Sequence, residues 1–278
     1  GVDEDDLRAS PPAELAAAAI AHLRFGAQRQ RRQPLVRVFN PDPARDGYGS
    51  THSIVEATLE DMPFLVDSLG MVFAKAGLTV HRMVHPVLAI KRDRGGKLIA
   101  LNEENRDGFV SESWQRFEID RLEDPATQRA LERQILEVLD DVRVAVADWR
   151  PMREAVLQAA AVIESALIPV HAQEMREAQA LLRWMLDDNF TFLGYREYAF
   201  KRGRTADDTE PIEGTGLGIL RRRRRSQYEL HELRTLTGAL RKHAREPQLL
   251  TITKASVIAT VHRATYLDYI GIKTFDTR

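Results

Sequence analysis

The sequence predicts an α+β protein, on three observations. Its 278 residues suit roughly two compact regions at about 150 residues each. With 44% hydrophobic and 29% charged residues, the composition is that of a globular chain able to bury a core. Between Ser50 and Ala147, strand-like runs and helical stripes follow one another in the order β-α-β-β-α-β.

Each element has a local reason. Ser10-Pro11-Pro12 is a helix-start signal ahead of an alanine-rich run, so residues 1–25 form a lead-in helix, and Gln28 to Arg32 is a polar break. Leu35 to Phe39 alternates as a short strand. Asn40-Pro41-Asp42-Pro43 through Gly49 is dense in turn formers and makes a hinge, so the first domain begins near Ser50. His52 to Leu59 has the β-branched content of a strand. Asp61-Met62-Pro63 then opens a helix, because Asp can cap free amides and Pro tolerates the first turn. Leu65, Leu69, Val72 and Phe73 make one apolar stripe along it, and Gly77 sits at the left-handed C′ position.

Leu78 to Lys91 is a β-rich stretch interrupted by Pro86, and Asp93-Arg94-Gly95-Gly96 is a hairpin turn into Lys97 to Leu101. Trp114 to Asp120 supplies another strand. Pro125 to Leu139 is a second helix with Leu131, Ile135, Val138 and Leu139 in register, and Val142 to Ala147 alternates as the closing strand. This order is the ferredoxin-like split unit, two helices on one face of a four-stranded antiparallel sheet. The other face then needs a cover. Two helices, Pro151 to Leu167 and His171 to Asp188, follow and either cover it or link domains.

A second, smaller α/β region starts at Asn189. It reads as strand Phe190 to Phe200, loop Arg202 to Glu213, strand Gly216 to Arg221, helix Glu229 to Ala244, and strands Leu249 to Thr253 and Val257 to Val261. The resulting division is a lead-in and hinge at 1–49, a first domain at 50–148, linking helices at 149–188 and the second region at 189–278. The chain opens on Gly1, and Tyr266 to Phe275 reads as a strand that stops without a cap. Both predict an excerpt from a longer polypeptide.

Composition excludes several classes of chemistry. With no cysteine there is no disulfide, thiolate nucleophile or Cys-held metal. Forty basic residues against 41 acidic ones leave a net charge of −1, which draws no polyanion, and no apolar run is long enough to span a bilayer. Neither nucleic acid nor membrane is therefore an expected partner, and the cytoplasm is the expected location.

Candidate motifs were weighed against blander explanations. Gly214-Thr215-Gly216-Leu217-Gly218 suggests phosphate binding, but it leads into Ile219-Leu220 and five arginines rather than an apolar helix, so it reads as a Gly-rich turn. Arg221 to Arg225 lacks interleaved aromatics and reads as a solvated or inter-subunit face. His81 and His85 lie in a strand-like run with no third ligand, so no metal is expected. No Gly-x-Ser-x-Gly elbow appears, and no catalytic residue is assigned. The loop Asp61-Met62-Pro63-Phe64-Leu65-Val66 is the candidate effector site, since an acidic strand-to-helix loop with free amides can hold a ligand carboxylate. Simple helix capping explains the same residues and is the reading the residues by themselves favour.

Four blocks carry a family resemblance: VRVFNPD at Val36 to Asp42, LEDMPFLVDSLGMVFAKAGLTVHRMVHPVLAIKRD within Thr51 to Leu98, LLRWMLDDNFTFLGYREYAF at Leu181 to Phe200, and TKASVIATVHRATYLDYIGIKTFD at Thr253 to Asp276. In this order they resemble the N-terminal region of the large bacterial NAD-specific glutamate dehydrogenases. The resemblance implies a regulatory front to a longer enzyme whose NAD-dependent catalytic domain lies elsewhere, with no cofactor held by this chain. It also implies an ACT-like first domain, pairing with other copies through its sheet and open to an amino-acid effector. ACT loops commonly read Asp-x-Pro-Gly. Here Asp61 and Pro63 match and Phe64 replaces the glycine, removing the close backbone approach that glycine allows.

Overall fold

A computed structural model describes residues 11–102, 107–165, 170–221 and 235–274. The chain divides into two compact units, Gly1–Asp140 and Asp141–Arg278. The elements of the first are α1 (Pro12–Gly26), β1 (Leu35–Phe39), α2 (Pro43–Asp46), β2 (Ser53–Glu60), α3 (Leu65–Lys75), β3 (Val80–Val84), β4 (Val87–Arg92), β5 (Leu98–Asn102), β6 (Val110–Ile119) and α4 (Pro125–Ala147), which continues past the unit boundary. The strands form one sheet in the order β1-β2-β6-β4-β5, with β3 also paired to β6, and every pairing is antiparallel. Pro86 separates β3 from β4, and its carbonyl accepts the Trp114 N–H at 3.0 Å, so the chain stays on β6 across the break.

The closing strand expected at Val142 to Ala147 is instead the last part of α4. Val142 and Ala145 continue the stripe of Leu131, Ile135, Val138 and Leu139 at helical spacing, all are buried, and no breaker interrupts the run. The place beside β2 falls to β1, paired from Leu35 with Thr58 to Phe39 with Ile54. Leu35 to Phe39, expected ahead of the first domain, is thus part of its sheet. The turn-rich segment after it holds α2, where the Asp42 carboxylate accepts the amides of Ala44 and Arg45 and Gly47 closes the helix at φ 80°.

Pairing register sorts the faces. Val55, Ala57 and Phe117 share one face, where Phe73 of α3 meets Phe117 edge-on at 5.0 Å. Ile54, Thr58 and Trp114 share the other. Helix α1 packs on that face: His22 Nε2 lies 3.3 Å from Thr58 Oγ1, and its ring is 5.2 Å from that of Trp114. Polar groups also sit beneath α1. Arg37 bonds Glu56 at 2.7 Å, and Glu112 accepts Arg29 at 2.7 Å and Arg92 at 2.7 and 2.8 Å. Such pairs persist in a core only because each buried charge meets its opposite.

The second unit contains α5 (Trp149–Ser165), α6 (Ala172–Trp184), a π-helical turn at Met185–Asn189 and short sheets. Met152, Val156, Ile163, Ala178, Leu182, Met185, Phe192 and Leu249 make its core. Strand β7 (Gly194–Tyr195) pairs with β10 (Leu217–Gly218), and β8 (Tyr198–Lys201) with β9 (Asp207–Pro211), so the single strand expected over Phe190 to Phe200 is two short pieces and the expected loop contains β9. β11 (Thr235–Leu236) joins β9, followed by α7 (Gly238–Arg245). The start of the helix expected from Glu229 lies outside the described residues. The last two expected strands are one, β12 (Leu250–Ile258), with an irregularity between Lys254 and Ile258, paired with β13 (Tyr266–Ile272).

Candidate functional site

The loop from Asp61 to Val66 joins β2, between β1 and β6 in the sheet, to the start of α3. The Asp61 N–H donates to the Ser111 carbonyl at 2.9 Å, which fixes the loop to β6. Asp61 was expected to cap the helix. The capping position belongs instead to Phe64, in the left-handed region at φ 73°, ψ 0°, and its side chain caps no amide. Ser68 N–H reaches back to the Phe64 carbonyl at 3.0 Å. A phenylalanine at that φ costs on the order of 1 kcal/mol relative to glycine. The backbone therefore takes the turn a glycine would favour, with a side chain added. Asp61 and Pro63 are exposed, Met62, Phe64 and Val66 are half-buried, and Leu65 is buried in the core.

Beneath this helix start is a polar group of which the sequence pointed only to His85, and to that as a candidate metal ligand. Ser113 and Gln115 lie on the inward face of β6 with Phe117, and Ser68 of α3 is buried too. His85 Nε2 is 2.7 Å from Ser113 Oγ, and Gln115 Nε2 donates to the same oxygen at 2.9 Å. Gln115 Oε1 is buried with no hydrogen-bond partner among the described residues. Burial pushes the His85 pKa down, partly opposed by the Asp61 carboxylate. A neutral imidazole results, able to donate at one nitrogen and accept at the other. For the strand residues the only signal in the sequence was polar residues at alternate positions, Ser111, Ser113 and Gln115, ahead of Phe117 and Ile119.

This arrangement offers complementary binding groups: an exposed carboxylate at Asp61, uncapped amides in the first turn of α3, and a half-buried imidazole near Asp61. Ser113, whose hydroxyl meets His85, is fully buried and also accepts from Gln115. The other motifs are spent on structure. His81 and His85 face different partners, His81 Nε2 lying 2.7 Å from Asp120 Oδ1, and no group of three metal-ligating side chains forms among the described residues.

In the Gly214–Gly218 run two amides are already engaged, Gly218 with Asp148 Oδ2 at 2.8 Å and Thr215 with the Ile212 carbonyl at 3.4 Å. A Cβ on Gly216 would come within 2.5 Å of the Leu220 carbonyl oxygen and one on Gly218 within 2.2 Å of that of Leu193, so these two glycines serve close backbone packing. Arg221 pairs with the buried carboxylate of Asp148, and Arg222 to Arg225 lie outside the described residues. No helix among the described residues is long and apolar enough to cross a membrane.

Residues 1–135 match the family model for "Glutamate dehydrogenase, ACT1 domain". The chain is 36% identical over 278 residues to the NAD-specific glutamate dehydrogenase of Pseudomonas aeruginosa, covering 98% of this chain and 17% of that protein. Identity is 38% over 270 residues with the Halomonas elongata protein of the same name (95% of this chain, 16% of that protein), and 27% over 271 residues with the Mycobacterium tuberculosis one (95% and 15%). The chain thus spans about one sixth of the length of these relatives.

Proposed function

We propose, starting from a chain that carries a glutamate dehydrogenase ACT1 domain in its first half and resembles NAD-specific glutamate dehydrogenases along its length, that it is a non-catalytic regulatory and oligomerisation segment of such an enzyme. The full protein would oxidise L-glutamate with NAD and water to 2-oxoglutarate, ammonia and NADH. That chemistry and the NAD site belong to the catalytic region of the longer polypeptide, in the cytoplasm. The first unit is read as a ferredoxin-like, ACT-type sheet in which β1, from ahead of Ser50, fills the place beside β2, with linking helices and a second α/β region after it.

The observation that carries the regulatory reading is the start of α3. Its uncapped first turn suits a carboxylate, and Asp61 suits an ammonium group, so the loop has the polarity of an amino-acid effector site. Phe64 keeps the left-handed turn despite its side chain. An effector preferring one arrangement of paired domains would act on the distant catalytic region through the difference in its affinity for two states. Pairing with a second copy would use the outer edge of β3, which has no strand partner among the described residues and exposes Val80 and Met83.

Calorimetric titration of the chain with each common amino acid at millimolar concentration tests the site. Saturable heat that Asp61→Ala abolishes is expected, and no heat with any of them leaves a purely architectural role. Turnover of glutamate and NAD by the isolated chain, at a rate comparable with the intact enzyme, would overturn the non-catalytic assignment.

A further inference from the structure

We propose that the junction of residues 28–33 with the turn at 93–97 is a docking surface for an acidic stretch of polypeptide. The two segments are held together by their own backbones. Arg29 N–H donates to the Gly96 carbonyl at 3.0 Å and Leu98 N–H to that of Ala27 at 2.8 Å, while the Gln28 and Gln30 side-chain amides both donate to the Gly95 carbonyl, at 2.5 and 2.9 Å. This sets the segment carrying Arg31 and Arg32 beside the turn carrying Arg94 and Lys97. All four are exposed, and none forms an ion pair among the described residues.

The charge beneath does not neutralise them. Arg29, only 2% exposed, and Arg92 are engaged with Glu112, and Arg29 also faces Glu60 at 3.6 Å, so the inner layer balances itself. In the outer layer Asp93 stands against four cations, and its Oδ1 accepts the amides of Gly95 and Lys97 at 2.9 Å each to shape the turn. Three positive charges remain unopposed on a chain whose net charge is −1. Three of the four cations are arginines, whose planar fork matches a carboxylate. Neither segment has an aromatic residue on which a base could stack, which favours a carboxylate chain over nucleic acid.

Fluorescence anisotropy of labelled poly-L-glutamate with the 278-residue chain tests this at low ionic strength. Saturable binding is expected, weakened severalfold by raising salt from about 50 to about 200 mM, and at least about tenfold by Arg31→Glu with Arg94→Glu, two contacts worth at least 1.4 kcal/mol together. Arg204→Glu, in the other unit, should leave it unchanged. Circular dichroism checks that the variant is folded, and Arg31→Ala with Arg94→Ala replaces the reversal if it is not. No saturable binding, equal affinity of variant and parent, or tighter binding of duplex DNA than of polyglutamate overturns the proposal.

Discussion

Helix α1 meets the sheet at His22 and at its last residue, Gly26, and the contact at the glycine yields a sharp prediction. A Cβ built on Gly26 lies no more than 2.9 Å from three ring carbons of Trp114. The ring cannot easily yield: Trp114 is 3% exposed, the His22 ring packs on it, and its Nε1 donates to Glu112 at 3.3 Å. Gly26→Ala must then shift the helix or the indole, at an overpacking cost of about 1–3 kcal/mol. The gain in helix propensity, up to about 1 kcal/mol in a helix interior, is smaller at a final turn. The net expectation is a loss of about 1–2 kcal/mol. Gly70, in the interior of α3, is the control, since its Cβ would meet nothing within 4 Å. Gly70→Ala should stabilise by about 0.5–1 kcal/mol. Urea unfolding followed by circular dichroism and by tryptophan fluorescence reads both, with midpoints moving in opposite directions at constant slope. A Gly26→Ala protein as stable as its parent would mean that α1 does not rest on Trp114, and the account of this face would fail.

Two further outcomes concern the charges under α1. Burial, together with the charges of Arg116 and Arg37, pushes the His22 pKa down to about 3. The unfolded chain takes up this proton near the ordinary value of about 6.5, so stability is full above that pH and falls as pH drops towards 3. The loss from this group should be about 2 kcal/mol between pH 7 and pH 5, and His22→Gln should flatten that slope in urea titrations; an unchanged slope refutes the assignment. For Glu112, burial pushes the carboxyl pKa up, but the hydrogen bonds from Arg92 and Arg29 outweigh it and hold it below its usual value. Its stabilisation is present above the unfolded value and is lost as pH falls through the lower folded one. Glu112→Gln should cost about 2–4 kcal/mol at pH 7 by leaving two buried guanidiniums short of a counter-charge. Glu56→Gln should cost less, because burial outweighs Arg37 and Arg116 there and raises its pKa, and Glu56 Oε1 accepts no hydrogen bond. Equal urea midpoints for the two variants would contradict this ranking.

The elements legible in the sequence were those with an unambiguous period or a turn signal. Leu65, Leu69, Val72 and Phe73 marked α3, Asp93 to Gly96 marked a hairpin turn, and Pro86 marked the break between β3 and β4. Val142 to Ala147 misled because a short run such as Val142-Arg143-Val144-Ala145 satisfies both periods, and only its continuity with α4 decides. At the loop, Asp61, Pro63 and Phe64 could be named as candidates, but not the left-handed turn at Phe64. That conformation is uncommon for an aromatic residue and is imposed by the anchoring of the loop to Ser111 and the start of α3.

By itself the sequence determined the α+β class, the helix and strand content around this loop, and, through four ordered blocks, the resemblance to a dehydrogenase family. Those depend on local periodicity, turn chemistry and residue identity, which a linear chain displays. Only the tertiary structure decided that β1 rather than a terminal strand flanks β2, that α1 covers the polar face of the sheet, and that His85, Ser113 and Gln115 meet beneath Asp61 to Val66. Strand neighbours and face partners are set by which distant surfaces bury one another at least cost in unpaired charge and lost packing. That is a property of pairs of segments, and neither segment displays it alone.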